Sequence, residues 1–489
     1  MKTIMNKKIT LEVILVSIVL ILAFGLRFYK IDIPLADHHS WRQADTAAVA
    51  RNFVKKGWDF LQPRIDNMTP LAKPDLPNTE RLFMAEPPVY QTAVAGVYKV
   101  LGVGENYARL VSIIFSLGSI VFLYLITKQY LSQRMALWSA LFFAILPYNV
   151  FYSRVVLPEP MMIFLTLGMV YFFSQWLMKQ SIIYYLLSII FTALAFTQKA
   201  FPVFLLLPMA YLTWRKYRFS AFKKKSLVFL FFGSLVPLAA WRLWVNQFPA
   251  GTPPYDWLFN QGNIRFKGAF FYWLFAKRLG ELILGYWGLP LLVLGLVLKP
   301  GKKEGWFFHI WLLTVLIYMT VFAAGNVTHD YYQVVLVPIV SIFLAKGADF
   351  FLSAPKKLFS RVSCYVLLVT CLLFMVAFSW YQVRDFYNIQ GGVDLAGLAV
   401  DELTPKDALI LTGDSNDATL LYNCNRYGWT GGYASNFPNT PETITRVKQM
   451  GAGYYVTTKF DENSGFGQYM LENHEVLDKF DQYIVFELR

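Results

Sequence analysis

ITLEVILVSIVLILAFGLRF, residues 9–28, is a nearly unbroken apolar run whose only charges are Glu12 and Arg27. A helix of about twenty residues rises about 30 Å, the thickness of a bilayer's hydrocarbon core. The run follows the basic stretch MKTIMNKK as a signal peptide would, but it lacks a small-x-small cleavage site. It is expected to stay as the first membrane-spanning helix.

The rest of the chain agrees with this start. The 489 residues are 56% hydrophobic and 16% charged, with 43 phenylalanines and a mean hydropathy of +0.42, far more apolar than a soluble protein of this length. Further apolar runs lie near residues 109–127, 135–150, 160–178, 181–197, 200–213, 226–246, 280–298, 306–324, 332–352 and 362–381, giving about eleven expected spans. With Lys7 and Lys8 inside, alternate loops TKQYLSQR, the turn holding Lys179, WRKYRFSAFKKK, KPGKKEG and APKKLFSR are all basic. This pattern satisfies the positive-inside rule. It also accounts for the net charge of +14 as topology, so nucleic acid is not an expected partner. The apolar segment 87–102 would break the alternation as a span and is expected to be a juxtamembrane helix.

The expected domains are a membrane domain over 1–383, with a first outer loop at 30–108, and a soluble outer-face domain over 384–489. From 384 onward the composition turns acidic, about 15 acidic against about 8 basic side chains. There DALILTGD reads as strand then turn, TPETITRVKQMGAG as a helix closed by glycine, and YYVTTK and QYIVFEL as strands, an α/β pattern. Cys364, Cys371 and Cys424 lack metal-ligand or disulfide spacing. Neither a phosphate-cradling G-x-x-x-x-G-K-[ST] nor a strand-linked G-x-G-x-x-G occurs, so a nucleotide donor is not expected.

Chemistry-bearing residues gather in the loops assigned outside. LADHHSWRQADTAAVARNF, residues 35–53, opens the first of them. Asp37 or Ser40 suits a helix cap, whereas Asp45 falls inside the helix, one turn after Arg42, where propensity does not favour it. A surface pair with Arg42 is the plain alternative for Asp45. Ala48, Val49, Asn52 and Phe53 form an apolar face suited to the membrane. Glu159 stands between two prolines where a span re-enters the bilayer, with Arg154 its nearest cation in sequence. Lys199 is either a snorkelling lysine or a phosphate counter-charge. Arg265, Lys267, His329, Tyr331 and Tyr332 complete the outer set, the tyrosines also suiting an interfacial belt. Asp37, His38, His39 and Asp45 offer metal-ligand chemistry, but adjacent histidines seldom meet one ion; no cofactor is expected and a divalent metal is not favoured.

In this order and spacing, AAVARNF (47–53), EPPVY (86–90), LGVGENYARLVSIIFSLGS (101–119), YSRVVLPEPMMIFL (152–165), FTQKAFPVFLLLP (196–208) and HDYYQVVLVP (329–338) resemble polyprenyl-phosphate-sugar-dependent glycosyltransferases of the C-type membrane fold. That superfamily includes the protein O-mannosyltransferases and the lipid A aminoarabinose transferase. The likeness covers the first 380 residues or so. It implies inverting transfer of one sugar from a polyprenyl-phosphate donor to a hydroxyl of a lipid, glycan or protein acceptor at the outer face of the cell membrane. A first-loop aspartate would act as base, with Asp45 and Asp37 as candidates and Glu159 a further catalytic carboxylate. Arg42, Gln43, His39, Glu86, Arg154, Lys199, Arg265, Lys267, His329, Tyr331 and Tyr332 would contact substrate. The chain departs from the family twice: Arg42 and Gln43 occupy the place of an Asp-Glu pair, and Glu86 that of a Lys or His. A transporter or flippase of a lipid-linked substrate is the rival class, although transporters place charges near the midplane and show half-repeats, neither of which is visible here.

Overall fold

A computed structural model describes residues 2–353, 360–432 and 435–488. The basic segment APKKLFSR therefore falls mostly outside the described residues. The chain divides into two compact units. One comprises residues 1–29, 112–240 and 255–385; the other comprises 30–111, 241–254 and 386–489.

The first unit is helical. Among the described residues, five helices are long and apolar enough to cross a membrane: Glu105–Tyr130, Glu159–Lys179, Lys225–Val245, Asp330–Ser353 and Arg361–Tyr387. Ile182–Gln198 and Phe307–Val321 are apolar but shorter. The expected count of eleven is not confirmed, because several apolar runs are not single helices. Run 135–150 breaks before Pro147 into Gln133–Ile145 and Pro147–Tyr152, and run 200–213 becomes Phe201–Phe204 and Leu206–Tyr217. Proline lacks the N–H of a continuing helix and clashes with the preceding turn. Run 280–298 is divided between a widened helix, Tyr272–Ile283, and Leu289–Val297.

Helices Leu289–Val297 and Val337–Ser353 cross at two glycines. A Cβ at Gly295 would lie 1.9 Å from the Phe343 carbonyl oxygen, and one at Gly347 2.1 Å from that of Leu291. Only glycine lets the backbones approach this closely, a common device between membrane helices. Deeply placed charges are compensated: Arg27, fully buried, donates to Ser153 Oγ at 2.6 Å and to the Ala144 carbonyl at 3.0 Å, and Lys346 pairs with Glu304 at 3.2 Å.

The second unit holds a five-stranded sheet, β1 Leu409–Thr412, β2 Tyr427–Thr430, β3 Ala452–Thr457, β4 Glu475–Phe480 and β5 Tyr483–Glu487, in the order β2-β1-β3-β5-β4. Strands β1, β2 and β3 are parallel, whereas β5 runs antiparallel to β3 and to β4. DALILTGD, YYVTTK and QYIVFEL supply β1, β3 and β5, and TPETITRVKQMGAG supplies helix Pro441–Gln449, capped by Thr440. Ile410, Leu421, Val456 and Val485 pack on one side of the sheet together with Ala36 of the first loop. Leu411, Trp429, Ile444 and Phe486 pack on the other, with Met68 against them. The loop and the C-terminal residues thus share a core. Segment 87–102 forms helix Val89–Leu101.

Candidate functional site

Helix Ser40–Lys56 carries the first-loop candidates in the second unit. Alanines 44, 47, 48 and 50 favour the helix, and Gly57, at φ 97°, ends it after Lys55 and Lys56. Its start differs from expectation: neither Asp37 nor Ser40 provides a side-chain cap, and His39 takes the capping place in a left-handed conformation at φ 55°. Thirteen of its 17 residues are buried, so the face with Ala48, Val49, Asn52 and Phe53 is enclosed by protein. Small side chains allow the neighbouring helix and the C-terminal residues to close around it.

Asp45 is 9% exposed, and its Oδ1 has no hydrogen-bond partner among the described residues. Burial is the main cause of a pKa raised from 3.8 to about 7; Arg42 opposes the rise, while Asp66 and Asp417 add to it. A surface pair with Arg42 does not form. Arg42 Nη2 instead meets Glu86 Oε1 at 2.5 Å, both side chains being nearly buried. Arg42 and Glu86, singled out separately in the sequence, are therefore partners in one ion pair.

Asp37 is differently placed. Its side chain is fully buried, with Oδ1 accepting from Gln43 Nε2 at 2.7 Å and Oδ2 lying 3.5 Å from Arg109 Nη2. Both oxygens are engaged, which suits a structural carboxylate that fixes the start of the helix. Asp66 accepts from Arg51 and from Asn52 Nδ2, and Arg51 lies 4.0 Å over the Tyr422 ring. Ser40 Oγ is 2.8 Å from Thr419 Oγ1, beside the turn that carries Asp417.

In the first unit a second group assembles. Glu159 Oε1 pairs with Lys199 Nζ at 3.1 Å, and Glu159 Oε2 has no hydrogen-bond partner among the described residues. The partner is Lys199, although Arg154 is nearer in sequence; Arg154 is fully buried, 5.4 Å over the Phe151 ring. Lys199 Nζ also lies 6.0 Å and 5.7 Å over the rings of Tyr331 and Tyr332, and His329 stacks on Tyr331 with ring centres 5.3 Å apart. Asp330 accepts from Tyr152 Oη at 2.5 Å and sits 3.6 Å from Arg278. Arg265 donates to the carbonyls of Val321 and Phe259, while Lys267 is exposed at the start of a short helix.

Thus Glu159, Lys199, His329, Tyr331 and Tyr332 come together in one unit, and Asp45, Arg42, Gln43, His39, Asp37 and Glu86 in the other. Sequence reasoning missed Arg278, which lies just before the apolar run 280–298, and also Asp66 and Asp417. Asp417 alone had a local signal, the turn-forming TGDSND after a strand.

Residues 85–244 match the family model described as dolichyl-phosphate-mannose-protein mannosyltransferase. A protein of Aquifex aeolicus is 27% identical over 256 residues, covering 50% of this chain and 56% of the relative's length. The fold is similar to ArnT from Cupriavidus metallidurans bound to undecaprenyl phosphate, with TM-score 0.65, 14% identity, and coverage of 97% of this chain and 98% of that one. It is also similar to the oligosaccharyltransferase AglB from Archaeoglobus fulgidus in complex with an inhibitory peptide and a dolichol-phosphate (TM-score 0.58, 10% identity, 92% and 70%). The mycobacterial arabinofuranosyltransferase AftD matches at TM-score 0.56 and 11% identity, over 98% of this chain and 40% of that one. By family model over part of its length and by fold over nearly all of it, the chain is similar to the membrane glycosyltransferases of the C-type fold.

Proposed function

We propose that this protein transfers a single sugar from a polyprenyl-phosphate donor to a hydroxyl of a lipid, glycan or protein acceptor, with Asp45 as general base. The observation that carries the reading is the state of Asp45: buried, open at Oδ1, and raised to a pKa of about 7. A base poised near neutrality is matched to taking a proton from a hydroxyl as the new bond forms. The hydroxyl oxygen attacks the anomeric carbon, its proton passes to Asp45, and the bond to phosphate breaks with the electron pair leaving on the phosphate oxygen. Attack opposite the leaving group inverts the anomeric centre.

The departing phosphate needs positive charge more than it needs a proton, and Arg or Lys side chains can supply it without a metal. Similarity to a structure holding undecaprenyl phosphate supports a lipid-phosphate donor. The second unit is placed on the outer face, with a cytoplasmic N-terminus, in keeping with the basic loops. The test is transfer of radiolabelled sugar from a polyprenyl phosphate by purified protein. Asp45→Asn is expected to lower kcat by at least about a hundredfold. Full activity in that variant, or transport of a lipid-linked substrate without transfer, refutes the proposal.

A further inference from the structure

The second unit contains a cavity of about 390 Å³ beyond the C-terminal end of helix Ser40–Lys56, lined by Asn52, Lys56, Trp58, Asp59, Arg64 and Arg81, among others. Its size falls within the range of small-molecule sites. Three cations face one carboxylate. Arg64 is held by Asp59 at 3.3 Å and by Gln62 Oε1 at 2.8 Å. Lys56 and Arg81 make no ion pair among the described residues, yet they converge on a single ring: Arg81 Cζ lies 3.7 Å and Lys56 Nζ 5.9 Å from the centre of Tyr427. Tyr427 is itself fixed by its hydroxyl, which donates to Asn52 Oδ1 at 3.0 Å.

Two like charges gathered without a counter-ion repel one another, and an anion between them removes that cost. The backbone gives a second sign. Arg81 adopts φ 58°, a left-handed conformation unfavourable for a long side chain, held by its N–H bond to the Asn78 carbonyl at 2.9 Å. The rim adds a third. Trp58 is 63% exposed, and its open ring suits the apolar face of a pyranose, while Asp59 and Gln62 offer acceptors for hydroxyls. Asn52 lies seven residues after Asp45, two turns along the same side of one helix, or about 10 Å.

We infer that the Lys56–Trp58–Arg64–Arg81 cavity binds an anionic saccharide, the part of an acceptor glycan roughly two sugar units from the hydroxyl that reacts. The acceptor role rests on the transferase reading; the binding site itself does not.

The test uses the full chain in detergent and a galacturonic acid trisaccharide as probe, with maltotriose as its neutral counterpart and phosphatidylglycerol nanodiscs as a competing source of anionic headgroups. The acidic trisaccharide is expected to bind at least tenfold more tightly than maltotriose, and more weakly as salt rises. Lys56→Ala and Trp58→Ala, both at exposed positions, are expected to weaken binding at least tenfold with an unchanged thermal midpoint. Equal affinity for maltotriose, no binding of the acidic probe, less than a twofold effect in both variants, or displacement by phosphatidylglycerol would each overturn the inference. Asp45→Asn is expected to keep saccharide binding while losing transfer, so failure of the site and failure of the transferase reading are distinguishable.

Discussion

Replacing Asp45 by asparagine is expected to stabilise the protein while disabling it. The buried carboxyl keeps its proton to a pKa of about 7, against 3.8 when exposed, so the folded state resists ionisation over about three pH units. Between those values the folded chain holds a proton that the unfolded chain has released. This contribution to stability is therefore fully present below pH 3.8 and is lost as pH rises to about 7. At about 1.4 kcal/mol per unit, the loss is on the order of 4 kcal/mol. Asparagine has the same shape and no charge to bury. Its advantage over the wild type should be smallest near pH 4, grow toward pH 7 and then stay constant. The assay is thermal unfolding of both proteins in one detergent across pH 4–8.5, beside kcat/KM for sugar transfer over the same range. Wild-type kcat/KM should fall tenfold per unit below about pH 7 as the base takes up its proton. A stability gap that does not widen with pH, or a wild-type rate that is flat from pH 5 to 8, refutes the assignment of a buried, proton-holding base.

Glu86→Gln removes the carboxylate paired with Arg42 in a nearly buried place; a loss of about 3 kcal/mol is expected, with the acidic limb of the rate profile moving to lower pH as one negative charge less favours ionised Asp45. The double variant Arg42→Gln/Glu86→Gln should be more stable than Glu86→Gln alone, as a double-mutant cycle in chemical denaturation will report. Lys199→Gln removes the cation paired with buried Glu159 and is expected to lower the thermal midpoint, with Lys199→Arg recovering most of the loss; thermal unfolding decides. Gly347→Leu drives a side chain into the Leu291 carbonyl and should cost about 3 kcal/mol or more, seen as a lowered thermal midpoint.

The membrane class and the position of most helices were legible because apolar runs and basic loops are dictated by the bilayer alone. What was not legible depends on long-range contact. Pro147 is visible in the sequence, yet whether it ends or merely kinks a helix is decided by its neighbours. The burial of helix Ser40–Lys56 could not be read from its own pattern, because the residues that enclose it come from elsewhere in the chain. Arg42 and Glu86 stood out singly as departures, and only folding shows them 2.5 Å apart. Lys199 and Glu159 were both singled out, but sequence distance favoured Arg154 as the partner. Arg278 and Asp66 carry no local signature, since an ion pair with a remote residue leaves no spacing to detect.

The shared core of the second unit has a consequence for how the chain is made. Ala36 and Met68 complete packing layers with residues beyond 400, so the first loop leaves the ribosome about 340 or more residues before those partners exist. At a synthesis rate of about 5–20 residues per second, it must wait tens of seconds, through insertion of the intervening helices, with Ala36 and its neighbours uncovered. Biogenesis therefore includes an interval in which the segment bearing Asp45 is exposed to proteases and chaperones, and the arrival of the last hundred residues is what ends it.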